Sequence, residues 1–396
     1  MDLNLYIARR LRHKGRVVTA AVAVSFLVVI IAVAVSSGFR REINDGLSRL
    51  TGDVQLTMAD INYLDESSPI NTTQAYLSYI NDIEGVDSVY PVIYRAGIVK
   101  QSEEIYGVMM KGVQGGVRSV TGAVVSDSLS LAVAIPTSLA EKARLKPGDK
   151  LLTYFVGGEN VKVRQFNVAD VYEPLVRTDD RHLVYADIAD MQRLNGWTDG
   201  QATMFEVLLD DEAKDRMDDI TYQMSDMVYE NIESDDDLLM PVSSIRRFPQ
   251  IFEWLTLIDF NVMFVLILMI AVAGVNMITG LLIMLFEHIS TIGLLKSLGM
   301  PNVKIMNVFM TKAAGIVFKG MLIGNLVAFT LCYIQNATHL IELDPVNYFV
   351  SYVPVHLNVM EIVAADAIAF ISIMILLILP SLFVLRVDPS KTIKMD

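Results

Sequence analysis

The stretch VVTAAVAVSFLVVIIAVAV, Val17–Val35, is the key to the fold of this chain. It carries no charge, and as an α-helix it would rise roughly 28 Å at about 1.5 Å per residue, close to the roughly 30 Å of a bilayer's hydrocarbon core. Three further apolar runs crowd the last third of the chain, at Asn261–Phe286, Gly315–Ile334 and Ile362–Leu385. The long stretch between the first run and the second is ordinary mixed polar sequence. The layout predicts an α+β membrane protein with four transmembrane helices and one large α+β domain inserted between helices one and two. The expected boundaries are a leader at 1–16, spans at 17–37, 259–286, 313–335 and 362–385, the inserted domain at 38–258, loops at 287–312 and 336–361, and a tail at 386–396. The first run is longer than the roughly 7–15 residues of a signal-peptide core, so it reads as a retained anchor.

Composition agrees with a chain that is part membrane and part water. Of 396 residues 53% are hydrophobic, and the mean hydropathy is +0.43. The net charge of −13 argues against nucleic acid as a partner. A single cysteine, Cys332, excludes an intrachain disulfide, so the inserted domain must stand on its own core. The leader carries Arg9, Arg10, Arg12, Lys14 and Arg16, the second loop Lys296, Lys304 and Lys312, and the tail Arg386, Lys391 and Lys394. Residues 335–361 contain no lysine or arginine. The positive-inside rule therefore puts both termini and the second loop in the cytoplasm, and the inserted domain outside. Residues 38–258 hold 20 basic against 36 acidic residues, a net of −16, but long domains cross regardless of charge.

Within the inserted domain, strand-like runs alternate with helical ones and show no βαβ regularity. Strands are expected at Asp53–Met58, Val89–Val99, Ile105–Val113, Lys150–Val156, Val161–Val171 and Met204–Leu209. Helices are expected at Thr73–Asp82, Ser138–Ala143, Ile188–Leu194 and Asp211–Met227. Phe39, Ile43, Leu47 and Leu50 continue the first helix past the membrane, and Gly52 ends it. Pro147-Gly148 marks a type II turn. The acidic cluster Glu233–Asp237 lacks the spaced ligands and glycine of an EF-hand loop and reads as a solvated loop.

No phosphate-binding G-x-x-x-x-G-K-[ST], no H-E-x-x-H and no G-x-S-x-G occurs, and the five histidines are scattered. Catalytic and metal sites are not expected. Asn276, Asn325, Lys319 and Asp366 are the notable polar residues of the spans, read as snorkelling and helix-to-helix hydrogen bonding. The most function-like segment is EHISTIGLLKSLG, Glu287–Gly299. Ile289, Ile292, Leu295 and Leu298 recur every three residues, and Gly299 stands where a helix should end. An apolar stripe on a cytoplasmic loop needs a partner surface. It could rest on the protein's own spans or lipid, or dock onto a cytoplasmic motor.

The segment also resembles a known family. Glu287, Ile292, Leu295, Lys296 and Gly299 fit E-x4-I-x2-L-K-x2-G, which resembles the loop after the second span in permeases of lipoprotein-releasing ABC transporters, within the wider group of macrolide-exporter and FtsX-like permeases. GFRREIN at Gly38–Asn44, SLAEKARLKPGDKL at Ser138–Leu151, YFVSYVPVHLN at Tyr348–Asn358 and RVDPSKTIK at Arg386–Lys394 are similar to further segments of that family. Arg144 departs from it, standing where a small or apolar residue is common. The resemblance implies a bacterial inner-membrane permease with a periplasmic domain. It implies pairing with a second copy or homologue and docking with two copies of a separate ATPase, which alone would bind ATP and Mg²⁺. No cofactor is expected on this chain. Glu287, Ile289, Ile292, Leu295, Lys296, Leu298 and Gly299 would couple to the ATPase. A lipoprotein would lay its acyl chains against Ile31, Val35, Ile258, Val262 and Phe264. A periplasmic carrier would meet a loop containing Pro174, Arg177 and Arg181. The alternatives are an efflux-type or FtsX-like mechanotransmission permease, or a membrane receptor that transports nothing.

Overall fold

The computed structural model describes residues 16–58, 69–101, 104–115, 131–157, 160–174 and 182–382. The chain forms two compact units. One holds residues 42–252 with 343–351; the other holds the membrane-length helices. The first helix, α1, runs Arg16–Thr51. It stops where expected: Gly52 takes φ +70°, and its N–H reaches the Ser48 carbonyl at 2.8 Å.

The sheet unit contains β1 (Val54–Met58), β2 (Ile70–Asn71), β3 (Val86–Gln101), β4 (Glu104–Val113), β5 (Ala132–Pro136), β6 (Lys150–Gly157), β7 (Asn160–Tyr172), β8 (His182–Asp187), β9 (Gln201–Ala202), β10 (Met204–Leu209) and β11 (Leu239–Ser243). Its helices include α2 (Leu77–Asn81), α3 (Thr137–Ala143), α4 (Ile188–Asn195) and α5 (Met217–Asn231). Nine of the described strands form one mixed sheet in the order β11-β1-β10-β3-β4-β8-β5-β7-β6. β6 also pairs with β3, Ile98 opposite Tyr154 and Val99 opposite Thr153. The strands β3-β4-β8-β5-β7-β6 thus close into a ring.

Side chains alternate across this ring. Val99, Val108, Met110, Phe155, Phe166 and Val184 point inward and are buried. Leu139 and Ala140 of α3 and Met191 and Leu194 of α4 join the same core. The six expected strands are present, within a few residues of their expected ends. β5, β8 and β11 were not expected. β5 reads AVAIP and is buried at every position, so it lacks the alternation that would betray it. Two helices differ from expectation. The Thr73–Asp82 run is helical only at Leu77–Asn81. Asn71, Gln74 and Ala75 instead donate to the carboxylates of Asp236 and Asp237, which ties the acidic loop down. The Asp211–Met227 run becomes a 3-10 turn at Lys214–Arg216 followed by α5, which starts at Met217 and ends at Asn231. The Pro147-Gly148 turn forms, with Gly148 at φ +97° and Asp149 N–H on the Lys146 carbonyl at 3.0 Å.

The other unit contains α6 (Pro249–Glu287), α7 (Ile289–Ser297), α8 (Asn302–Thr338) and α9 (Val359–Leu376). With α1, the helices α6, α8 and α9 are long and apolar enough to cross a membrane. Small residues let them approach. Gly320, Gly324 and Ala328 form one buried stripe of α8, and a Cβ at Gly324 would collide with the Ala23 carbonyl of α1. Asn325 Nδ2 of α8 donates to Asp366 Oδ2 of α9 at 2.5 Å, the helix-to-helix bond expected of such residues.

Candidate functional site

His288, at φ −113° and ψ 23°, separates α6 from α7. At the other end Gly299 takes φ +82°. Its N–H meets the Lys296 carbonyl and that of Met300 the Leu295 carbonyl, both at 3.0 Å. This is a Schellman stop, as Gly299 suggested. Pro301 then serves as the N-cap of α8. The result is a short independent helix held between two membrane-length ones.

The structure splits the expected stripe. Ile292 is wholly buried among Leu285, Ile305, Val308 and Phe309, and Ile289 and Leu295 pack against the same core. Leu298 is 75% exposed. The reason is helical geometry: three-residue steps lag about 60° each behind the 3.6-residue turn, so Leu298 ends about 180° from Ile289. The exposed side of α7 carries Ser290, Leu294 and Leu298, at spacings of four that keep them in one line; Glu287, at the end of α6, is exposed as well. Lys296 is half-buried and Gly299 exposed.

Ile31, Val35, Ile258 and Val262 are half-buried, while Phe264 is exposed. They lie on adjoining helices. Ser36 Oγ of α1 donates to Asp259 Oδ1 of α6 at 2.6 Å, Arg40 pairs with the same carboxylate, and Phe39 meets Trp254 edge to face at 5.5 Å. Pro174 follows β7 and is half-buried; Arg177 and Arg181 lie outside the described residues.

A second polar constellation went unnoticed in the sequence. The last carbonyls of α1 meet the outward face of the sheet. Lys111 Nζ of β4 donates to the Leu50 carbonyl at 2.9 Å and to Glu206 Oε2 of β10 at 2.7 Å. The Tyr94 hydroxyl of β3 donates its one proton to Glu206 Oε1 at 2.6 Å and lies 3.1 Å from the Leu50 carbonyl. Tyr185 of β8 donates to the Arg49 carbonyl at 3.1 Å, and Tyr90 to Glu206 Oε2 at 3.1 Å. Lys111 and Glu206 are both buried. Burial pushes the Lys111 ammonium below its ordinary value against the pull of Glu206, and pushes the Tyr94 hydroxyl well above its own. An open cleft of about 700 Å³ lies beside them, lined also by Asp45, Asp53 and Lys214. The cluster satisfies carbonyls that a helix end leaves unpaired and so clamps the end of α1 to the sheet. Its signal in the sequence was a lone charge inside each of two apolar strands, VMMKGV and MFEVLL.

Comparison with known proteins bears on the membrane unit. No match to the chain is found among curated proteins. Among solved structures, similar ones include the extracellular domain of the noncanonic ABC-type transporter YknZ from Gram-positive bacteria, at 14% identity and a TM-score of 0.29 over 48% of this chain and 99% of that one. Another is the periplasmic region of MacB from Actinobacillus actinomycetemcomitans, at 12% identity and a TM-score of 0.31 over 50% of this chain and 92% of that one. The family model described as the FtsX-like permease C-terminal domain matches residues 263–389. That match runs from within α6 through α7, α8 and α9, so this part of the chain, with the short helix at its centre, is similar to FtsX-like permeases.

Proposed function

We propose that the chain is the membrane subunit of an ABC transporter, driven by a separate cytoplasmic ATPase that docks on the exposed side of α7. The observation that carries this reading is the line Ser290, Leu294 and Leu298, exposed along α7 and its C-cap inside the segment that matches FtsX-like permeases. Ile292 roots the other side of the helix in the membrane unit, so a push on the exposed side reaches α8 directly. Lys296 and Lys304 support a cytoplasmic position for α7 under the positive-inside rule. A second copy or a homologue completes the complex, with an ATPase bound to each.

Leu294→Asp and Leu298→Asp are the test. A carboxylate forced into an apolar docking groove costs several kcal/mol, on the order of the penalty for an unpaired buried charge. Both variants are expected in the membrane at normal amounts, and the ATPase is expected to be lost on purification. ATPase retained at wild-type stoichiometry in both would refute docking on this face.

The cargo in this reading is a lipoprotein, drawn from the outer leaflet between α1 and α6 and passed to a periplasmic carrier. Its support is the five-segment sequence resemblance together with the apolar side chains Ile31, Val35, Ile258, Val262 and Phe264 on adjoining helices. A photo-crosslinking residue at Val262 or Phe264 is expected to capture lipoprotein in cells, and one at Met284 is not. Equal capture at both positions would favour efflux or mechanotransmission without lipoprotein release.

A further inference from the structure

Two covered oxygens of the membrane unit lack a donor. Asn325 Nδ2 of α8 donates to Asp366 Oδ2 of α9. The other oxygen of each group, Asn325 Oδ1 and Asp366 Oδ1, is buried and has no hydrogen-bond partner among the described residues. Buried polar atoms nearly always find one, so two orphans on two groups already joined call for a single explanation. If Asp366 is a carboxylate, both orphans are acceptors and neither can serve the other.

The surroundings favour an uncharged group. The residues one helical turn to either side of each are apolar, Leu322 and Ala328 on α8 and Ile362 and Ala369 on α9 among them. Ala328 and Ile362 pack with Ile30 of α1 in a dry cluster. The nearest titratable neighbours along the two helices are Lys319 of α8 and Glu361 of α9. Lys319 is exposed, and its six-residue offset turns it about 120° round α8 from Asn325. Glu361 accepts from Asn358 at the helix start. Cys332 and Tyr333 stand about two turns further along α8, and neither residues 17–35 of α1 nor residues 260–286 of α6 hold a titratable group. Nothing described on these helices therefore offers Asp366 a counter-charge.

We propose that Asp366 is a proton-binding site, which carries a proton on Oδ1 and donates it to Asn325 Oδ1. A carboxylic acid presents one donor beside one acceptor, and a primary amide presents the complementary pair. The two groups then close a ring of two hydrogen bonds, and both orphans are used. The bound proton leaves the pair neutral, which avoids the cost of a charge in a membrane-spanning segment. Its loss would set a carboxylate against an amide oxygen between α8 and α9, so the proton governs the contact of these two helices. This inference stands apart from the transport reading.

The test uses the full chain in nanodiscs of ether-linked lipid, which has no ester carbonyl to mask an acid. The infrared spectrum at neutral pH is expected to contain the carbonyl band of a neutral carboxylic acid that Asp366→Asn removes. Asn325→Leu deprives that carbonyl of its donor and is expected to move the band to higher frequency. Asp366→Asn combined with Asn325→Asp shifts the acid to α8 and is expected to restore a neutral-acid band, a readout that stands even if either single variant folds poorly. Loss of a carboxylate band in place of an acid band in Asp366→Asn would overturn the proposal and point to an ionised group bridged by water. An acid band that Asn325→Leu leaves unmoved would overturn the pairing.

Discussion

Lys111 and Glu206 show how much one residue pair can decide. Each would be costly alone, because a buried charge without a partner forfeits its hydration. Together, with Tyr90 and Tyr94, they hold each other and the last carbonyls of α1. Glu206→Gln leaves the Lys111 ammonium without its counter-charge and is expected to destabilise the sheet unit by about 3–5 kcal/mol. Lys111→Met combined with Glu206→Leu is expected to cost well under the sum of the two single changes. Denaturant unfolding of the purified chain, read as a double-mutant cycle, measures this coupling; additive costs would show that the two side chains act independently. The sequence displayed both charges but could not pair them. They lie 95 positions apart, and a lone charge in an apolar strand also fits an exposed edge.

Among elements, α7 is the clearest case of what spacing can and cannot give. Its C-terminal end was legible from Gly299 and Pro301, because capping is local chemistry. Its outward face was not. Four apolar residues at three-residue intervals wind around a helix, so only packing decides which of them face inward. Ile292→Asp is therefore expected to behave unlike Leu294→Asp. It should lower the amount of monodisperse protein after detergent extraction, read by size-exclusion chromatography, because the carboxylate enters the core with Ile305 and Phe309. Normal yield from Ile292→Asp would contradict that packing. The contact of α8 with α1 makes a matching prediction. Gly324→Leu drives a side chain into the Ala23 carbonyl and the Phe26 side chain, and is expected to lower the thermal midpoint in detergent by several degrees, since a shift of this size follows from about 1–3 kcal/mol of overpacking. Gly315→Ala, where nothing lies within 4 Å of the added carbon, is expected to leave the midpoint unchanged or raise it slightly, alanine being the better helix former.

For the molecule as a whole, the expectation that both termini lie inside and the sheet unit outside is open to a direct check. In a Cys332→Ser background, Ser78→Cys on α2 is expected to react with an impermeant thiol reagent in intact cells, and Ser297→Cys at the end of α7 only after the cells are opened. The opposite pattern would invert the topology. The sequence by itself determined the four membrane-length helices, the presence of an α+β unit, six strands of its sheet, and the C-terminal ends of α1 and α7. Each of these is a local property, set by run length, alternation or a capping glycine. The tertiary structure alone decided that β6 returns to β3 and closes a ring, that β5 exists, that Lys111 meets Glu206, and that Leu294 and not Ile292 faces outward on α7. These depend on which distant residues become neighbours. A wholly buried strand has no alternation to read, a buried charge declares its partner only once the chain has folded, and a short helix shows its free side only after its other side has packed.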